Sequence, residues 1–202
     1  MKTAEFYCGT KSFSKVAATM EMETFTIDII KGFKPDLKKN MLFVTPEDLP
    51  YQPDVVWASP DCSAWSCAAG SHHFTRQMEA KTVWAEMAIK HIQFLIGLIE
   101  EINPIYWYIE NPRGRLRRMD FMKPFIRHTV TYCQYGDTRQ KPTDIWTNNP
   151  NWQPKPPCES QDGCHSSTTL DLTTARQRAA IPPALMHEIL LASTPRPGEI
   201  IS

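Results

Sequence analysis

The sequence predicts an α/β protein built on an open, mostly parallel sheet, and three observations carry that prediction. At the N-terminus a strand-like run, Thr3 to Tyr7, passes through a glycine turn into a helix and out into a second strand, which is a βαβ start. Further on, the strand-like runs Asp54 to Ser59 and Ile105 to Ile109 are separated by a long stretch of helical periodicity, the kind of crossover that parallel neighbours require. Near the C-terminus two short strands face each other across a glycine turn, so an antiparallel pair should close the sheet.

Taken in order, the first strand ends at Gly9-Thr10-Lys11-Ser12, a helix follows over about Phe13 to Met20, and Phe25 to Asp28 forms the second strand. A third strand is expected near Met41 to Val44, before the proline-marked turn Thr45-Pro46-Glu47-Asp48. From Glu79 to Ile102, the apolar residues Val83, Met87, Ile89, Ile92, Leu95, Ile96, Leu98, Ile99 and Ile102 recur at helical spacing until Asn103-Pro104 stops the run. Thr129 to Gln134 alternates as a strand, Tyr135-Gly136-Asp137-Thr138 turns, and Asp144 to Thr147 returns. Residues 148–169 are rich in Asn, Pro, Ser, Thr and Gly and read as an irregular excursion. Pro182-Pro183 then opens a final helix over Ala184 to Ala192, proline being welcome in a first helical turn.

With 202 residues and 42% hydrophobic content the chain can bury one core and has little left for a second, so 1–202 is read as a single domain. No apolar run approaches the roughly 18 residues needed to span a bilayer, and no leader pattern opens the chain, so a soluble, cytoplasmic protein with no membrane partner is expected. The six cysteines are scattered, unlike a secreted disulfide framework, and reduced thiols are the expectation. A formal net charge of zero argues against a protein wrapped entirely in nucleic acid but leaves room for a local basic surface. Arg113, Arg115, Arg117, Arg118, Lys123 and Arg127 supply one, read either as a solvated face or, beside a candidate site, as a phosphate contact.

The chemistry lies at two strand ends. Cys62 follows Pro60-Asp61 after one strand, and Glu110-Asn111-Pro112 follows another, so a thiol and a carboxyl would meet where ligands bind in open α/β sheets. Nucleophilic attack on a pyrimidine needs that pair: a thiolate to add to one carbon and an acid for the ring nitrogen that gains charge. Glu110 closes an apolar strand, so burial should keep its proton available, with Asn111 holding the carboxyl in place. The spacing of Cys62 and Cys67 fits neither a Cys-x-x-Cys redox motif nor a zinc deaminase. Asp28, ending the second strand, could accept ribose hydroxyls, which with the glycine turn suggests an adenosine-bearing cofactor.

In this order, Phe6-Tyr7-Cys8-Gly9-Thr10-Lys11-Ser12-Phe13, Asp28, Ser59-Pro60-Asp61-Cys62, Glu110-Asn111-Pro112, Tyr135-Gly136-Asp137-Thr138-Arg139-Gln140-Lys141 and Ala180-Ile181-Pro182-Pro183-Ala184 resemble the DNA cytosine-5 methyltransferase family, especially its short phage-type members. The resemblance spans most of the chain and implies a Rossmann-like S-adenosylmethionine-dependent methyltransferase fold. It implies Cys62 as nucleophile toward C6 of a flipped cytosine, Glu110 as acid at N3 and Lys141 as a further catalytic group. Phe6, Gly9, Thr10, Ser12, Phe13, Asp28, Ile29, Asn40 and Pro60 would hold S-adenosylmethionine; Ser66, Arg113, Arg115, Arg139 and Lys141 would contact duplex DNA.

The chain departs from the family pattern in places that bear on chemistry. Lys11 and Ser12 stand where further glycine is usual, Asp61 puts a negative charge beside Cys62, Asn40 replaces an aspartate, and Lys141 replaces an arginine whose planar fork it cannot reproduce. The target-recognition segment is reduced to about residues 148–178, which predicts short or relaxed specificity. Cys158 and Cys164-His165 within it could hold zinc, but the sequence offers no evident fourth ligand, and no metal is expected. Two other readings stay open: an impaired homologue that binds DNA or cofactor without methylating, and the same chemistry on RNA.

Overall fold

A computed structural model describes residues 1–159, 163–166 and 174–195, the side chains of 175 and 176 excepted. The parts of the expected recognition segment at 160–162 and 167–173 lie outside the described residues. Seven strands form one sheet: β1 (Lys2–Phe6), β2 (Glu23–Asp28), β3 (Leu37–Lys38), β4 (Val55–Ala58), β5 (Tyr106–Pro112), β6 (Ile126–Thr131) and β7 (Pro142–Thr147), in the order β3-β2-β1-β4-β5-β7-β6. The first five run parallel, whereas β7 pairs antiparallel with both β5 and β6. This is the mostly parallel sheet with a terminal antiparallel pair that the sequence predicts.

The strand alternation explains the two faces. Val55, Trp57 and Tyr108 point to the side covered by α1 (Ser12–Thr19) and α4 (Pro183–Ser193), packing with Phe13, Ala17, Leu185 and Ile189. Val56, Ala58, Trp107 and Ile109 point to the other, against Ile92, Leu95, Ile99 and Ile102 of α2 (Val83–Ile102). Strands buried on both faces read as continuous apolar runs, which is why β4 and β5 stand out in the sequence. α2 begins later than Glu79 because the Thr82 hydroxyl accepts the Ala85 N–H and caps it; Asn103, in the left-handed region, ends it.

Several expectations are corrected. Met41 to Val44 is a 3₁₀ turn, not the third strand: Met41 and Val44, three residues apart, are buried on one side of it, and Asn40 caps it by accepting the Leu42 N–H. The actual β3 spans two residues. β6 lies three residues earlier than the Thr129 to Gln134 reading, since Tyr132–Tyr135 coils into a 3₁₀ turn with Gly136 left-handed behind it. β5 runs on through Glu110, Asn111 and Pro112, so the carboxyl sits within a paired strand, opposite Ile145, and not in a loop. A short helix α3 (Ala175–Ala179), with a Thr174/Gln177 capping box, was not expected.

Candidate active site

β1 and β4 are neighbours although β1 leads outward through β2 to β3 and β4 leads the other way to β5, so the crevice at their carboxyl ends is a topological switch point. The glycine turn after β1 and the Cys62 loop after β4 both open there. Glu110, on the adjoining β5, is 6% exposed, and burial pushes its carboxyl above the usual range, as its apolar strand predicts. The hydroxyls of Ser59 and Tyr132 hydrogen-bond to it, that of Tyr132 donating at 3.3 Å, and the Lys141 ammonium favours its charged form.

Cys62, Glu110 and Lys141 feel one another's charge. The Cys62 thiol is held above its ordinary range first by burial and next by Glu110, while Lys141 pulls it down. Asp61 raises it further but is a smaller influence, its carboxylate being turned to the backbone N–H and hydroxyl of Ser63. Burial lowers the Lys141 ammonium, and Glu110 and Cys62 oppose that shift. Its Nζ lies 4.7 Å from the Tyr132 ring centre and donates to the Arg178 carbonyl at 3.1 Å. A thiol, a buried acid and a cation are therefore gathered at one place from β4, β5 and the start of β7.

Asn111 does not hold the Glu110 carboxyl, as the sequence suggested. Its Nδ2 donates instead to the Pro60 carbonyl at 3.2 Å and ties β5 to the Cys62 loop. That loop is fastened again where Arg115 donates its backbone N–H to the Trp65 carbonyl at 2.8 Å and its guanidinium to the Ser66 carbonyl at 3.2 Å. Gly114 makes this approach possible, since a Cβ there would overlap the Trp65 carbonyl oxygen. Tyr132, Ser59 and Gly114 escape sequence reasoning because their roles depend on partners far along the chain.

On the cofactor side, Asp28 accepts the N–H of Gly9 at 2.9 Å on one oxygen and that of Ile30 at 2.8 Å on the other, so it pins the turn. Each oxygen keeps a lone pair for a ribose hydroxyl. Phe6 and Phe13 are fully buried, Phe13 stacking on Trp57 with centroids 5.7 Å apart, so their side chains shape the core and do not reach a cofactor. Thr10 and Ser12 share a hydrogen bond, and Ser12 accepts the Ile181 N–H at 3.3 Å, bringing the start of α4 to the turn. Ile29 is 55% exposed beside Asp28 and offers an apolar face to a purine. Three buried side-chain polar atoms lack a protein partner among the described residues: the Tyr7 hydroxyl, Trp65 Nε1 and Asn111 Oδ1. They lie on Tyr7 after β1, on Trp65 in the Cys62 loop and on Asn111 of β5.

The basic residues divide. Arg117 is committed to Asp144 and Thr129 inside the fold, Lys123 pairs with Asp120, and Arg118 donates to the Arg76 carbonyl. Arg139, expected on DNA, is 4% exposed and is spent on Asp137 and on the carbonyls of Gln177, Arg178 and Ala180; it clamps the segment before α4. Arg113 and Arg127 are exposed and Ser66 half-buried.

The strand order and the switch-point crevice are those of an α/β, Rossmann-like methyltransferase fold. No family model matches the chain. It is 27% identical, over 217 aligned positions covering 94% of this chain and 99% of the relative, to a frog virus 3 protein named "Probable DNA (cytosine-5)-methyltransferase". Its fold resembles a protein of E. coli, encoded within a prophage and assigned to the DNA modification methyltransferases (TM-score 0.52, 13% identity, 77% of this chain), and the methyltransferase EhMeth of Entamoeba histolytica (0.51, 13%, 73%). The chain spans about half the length of these solved structures, 51% and 52%. Over nearly its whole length the chain is thus similar to a protein named as a DNA (cytosine-5)-methyltransferase, and its fold is that of solved methyltransferases. No helix among the described residues is long and apolar enough to cross a membrane.

Proposed function

We propose that the protein methylates C5 of cytosine in DNA, with Cys62 as nucleophile, Glu110 as acid and Lys141 as the cation that tunes both. The observation that carries this reading is one of geometry: buried Glu110 accepts a hydrogen bond from the Tyr132 hydroxyl at 3.3 Å, Lys141 Nζ lies 4.7 Å from the centre of the same ring, and Asn111 ties the Cys62 loop to the Glu110 strand at 3.2 Å. Bound S-adenosylmethionine supplies an electrophilic methyl group, and Asp28, the Gly9 turn, Ile29 and Asn40 are the residues suited to hold it.

C5 of an aromatic pyrimidine is a poor nucleophile, so it must first be activated by addition at C6. The Cys62 Sγ adds to C6 of an extruded cytosine while Glu110 delivers its proton to N3, which leaves C5 with enamine character. The carboxylate so formed lies within the influence of the Lys141 ammonium, which offsets its burial. After C5 takes the methyl group, water accepts the C5 proton, the Cys62 thiolate is expelled from C6 and N3 returns its proton to Glu110, which restores aromaticity and the enzyme's starting state. Arg113 and Arg115, next to the crevice on the segment after β5, suit contacts to the DNA backbone.

Labelled methyl incorporation from S-adenosylmethionine tests the proposal, with duplex DNA and transfer RNA as parallel substrates. We expect label in DNA that is lost in Cys62→Ser. Label in RNA alone contradicts the substrate assignment, and label that survives Cys62→Ser contradicts the chemistry.

A further inference from the structure

Beside Tyr132 in the chain, Cys133 joins the three potential metal ligands that the sequence groups, and the four converge. Cys133 lies in the 3₁₀ turn after β6; Cys158, Cys164 and His165 come from the recognition segment, and one ligand atom from each lies within 4.8 Å of all the others. Cys158 Sγ is 3.6 Å from His165 Nδ1, Cys164 Sγ is 3.7 Å from the same nitrogen, and the Cys133 and Cys158 sulfurs are 3.2 Å apart. A tetrahedral zinc with the usual bond lengths sets its ligands at roughly 3.6 Å for sulfur to nitrogen and roughly 3.8 Å for sulfur to sulfur. The nitrogen distances match. The two sulfurs are too far apart for a disulfide, whose S–S bond is about 2.05 Å.

We propose that Cys133, Cys158, Cys164 and His165 form a structural zinc site that clamps the reduced recognition segment to the wall of the active site. Cys133 supplies the fourth ligand that the spacing of Cys158 and Cys164-His165 lacked. Hydrogen bonds already hold these ligands in place: Gln140 Nε2 donates to Cys158 Sγ at 3.4 Å, Thr131 Oγ1 accepts the Cys158 N–H at 2.8 Å, and the Ser166 N–H donates to the Thr138 carbonyl at 3.1 Å. These contacts join the site to the catalytic cleft through the chain: Cys133 follows Tyr132, which hydrogen-bonds Glu110, and Gln140 precedes Lys141.

The segment has a physical need for such a clamp. Residues 153–159 are Gln-Pro-Lys-Pro-Pro-Cys-Glu, with little apolar surface to bury, and short segments without a core are commonly stapled by a metal. Three thiolates around a divalent cation close the site with no open coordination position, which marks it as structural.

Metal content, measured without reference to activity, is the test, so its outcome is independent of the proposed reaction. Full-length protein purified under reducing conditions should carry one zinc per chain. Cobalt exchanged into it should give the thiolate charge-transfer and d–d bands of a tetrahedral sulfur-rich site. Cys164→Ser, at an exposed position, should lose the metal and the bands, as should Cys133→Ser, whereas Cys67→Ser, outside the cluster, should keep both. Absence of zinc together with failure to bind cobalt overturns the proposal. So does zinc retained by Cys164→Ser and Cys133→Ser alike, or a Cys133–Cys158 disulfide in the reduced protein.

Discussion

At the residue scale the chemistry turns on the cation. Burial and the Glu110 carboxyl both raise the Cys62 thiol, and Lys141 is the group that lowers it, so reaction should accelerate as pH rises toward thiolate formation. Lys141→Met removes the charge while keeping the bulk. The rising limb of kcat/KM should then move to higher pH and the neutral-pH value should fall roughly tenfold or more, one pH unit of displacement being a factor of ten. A rising limb that stays in place in a pH–rate profile of the variant would show that Lys141 does not tune the thiol. Cys62 and Glu110 were legible in the sequence because each follows an apolar run and sits among polar or proline neighbours. Lys141 was legible only through the family pattern. Tyr132 and Ser59 were not, since nothing local in an alternating strand or at a strand end foretells a hydrogen bond to a carboxyl from another strand.

At the scale of elements, two loops meet through a residue with no side chain. In Gly114→Ala the added methyl collides with the Trp65 carbonyl, and either the segment after β5 or the Cys62 loop must give way. We expect a loss of about 1–3 kcal/mol of stability and a fall in kcat of about 100-fold, the scale of an ångström's misplacement of a reacting group. Thermal melts and methyl-transfer assays on the same preparation measure both; a stable variant with undiminished kcat would show that the two loops are not coupled. Lys11, left-handed at φ 57° in the turn before α1, pays a strain that glycine avoids. Lys11→Gly should therefore stabilise the protein by up to about 1 kcal/mol, read as a higher melting temperature; a lower one would contradict the strain. The main helices and long strands were readable from periodicity. β3 was not, because two residues carry no period, and β6 was displaced because the apolar Tyr132 and Tyr135 serve a turn's core as well as they would a strand.

At the scale of the whole molecule, the sheet brings groups separated by much of the chain into one cleft, and buried charge networks hold its far edge. Asp144, wholly buried on β7, depends on Arg117 from the basic stretch after β5 and on the Thr129 hydroxyl. Arg117→Met should cost about 3 kcal/mol or more by stranding that carboxylate, whereas Arg113→Ala, on the surface, should leave the melting temperature within error and weaken DNA binding in a salt-dependent way. Equal melting temperatures for Arg117→Met and the parent in a thermal scan would overturn the assignment of Arg117 to the fold. The sequence could not separate these arginines, because a run of like charge shows composition and the partners that sort it are tertiary. The central claim, that Cys62 bonds covalently to an extruded cytosine with Glu110 as its acid, is tested most directly by DNA carrying 5-fluorocytosine together with S-adenosylmethionine, since fluorine at C5 cannot leave as a proton does. A denaturation-resistant protein–DNA adduct, absent in Cys62→Ala and formed far more slowly in Glu110→Gln, is the predicted result; folded, cofactor-binding protein that forms no adduct with any such DNA would contradict it.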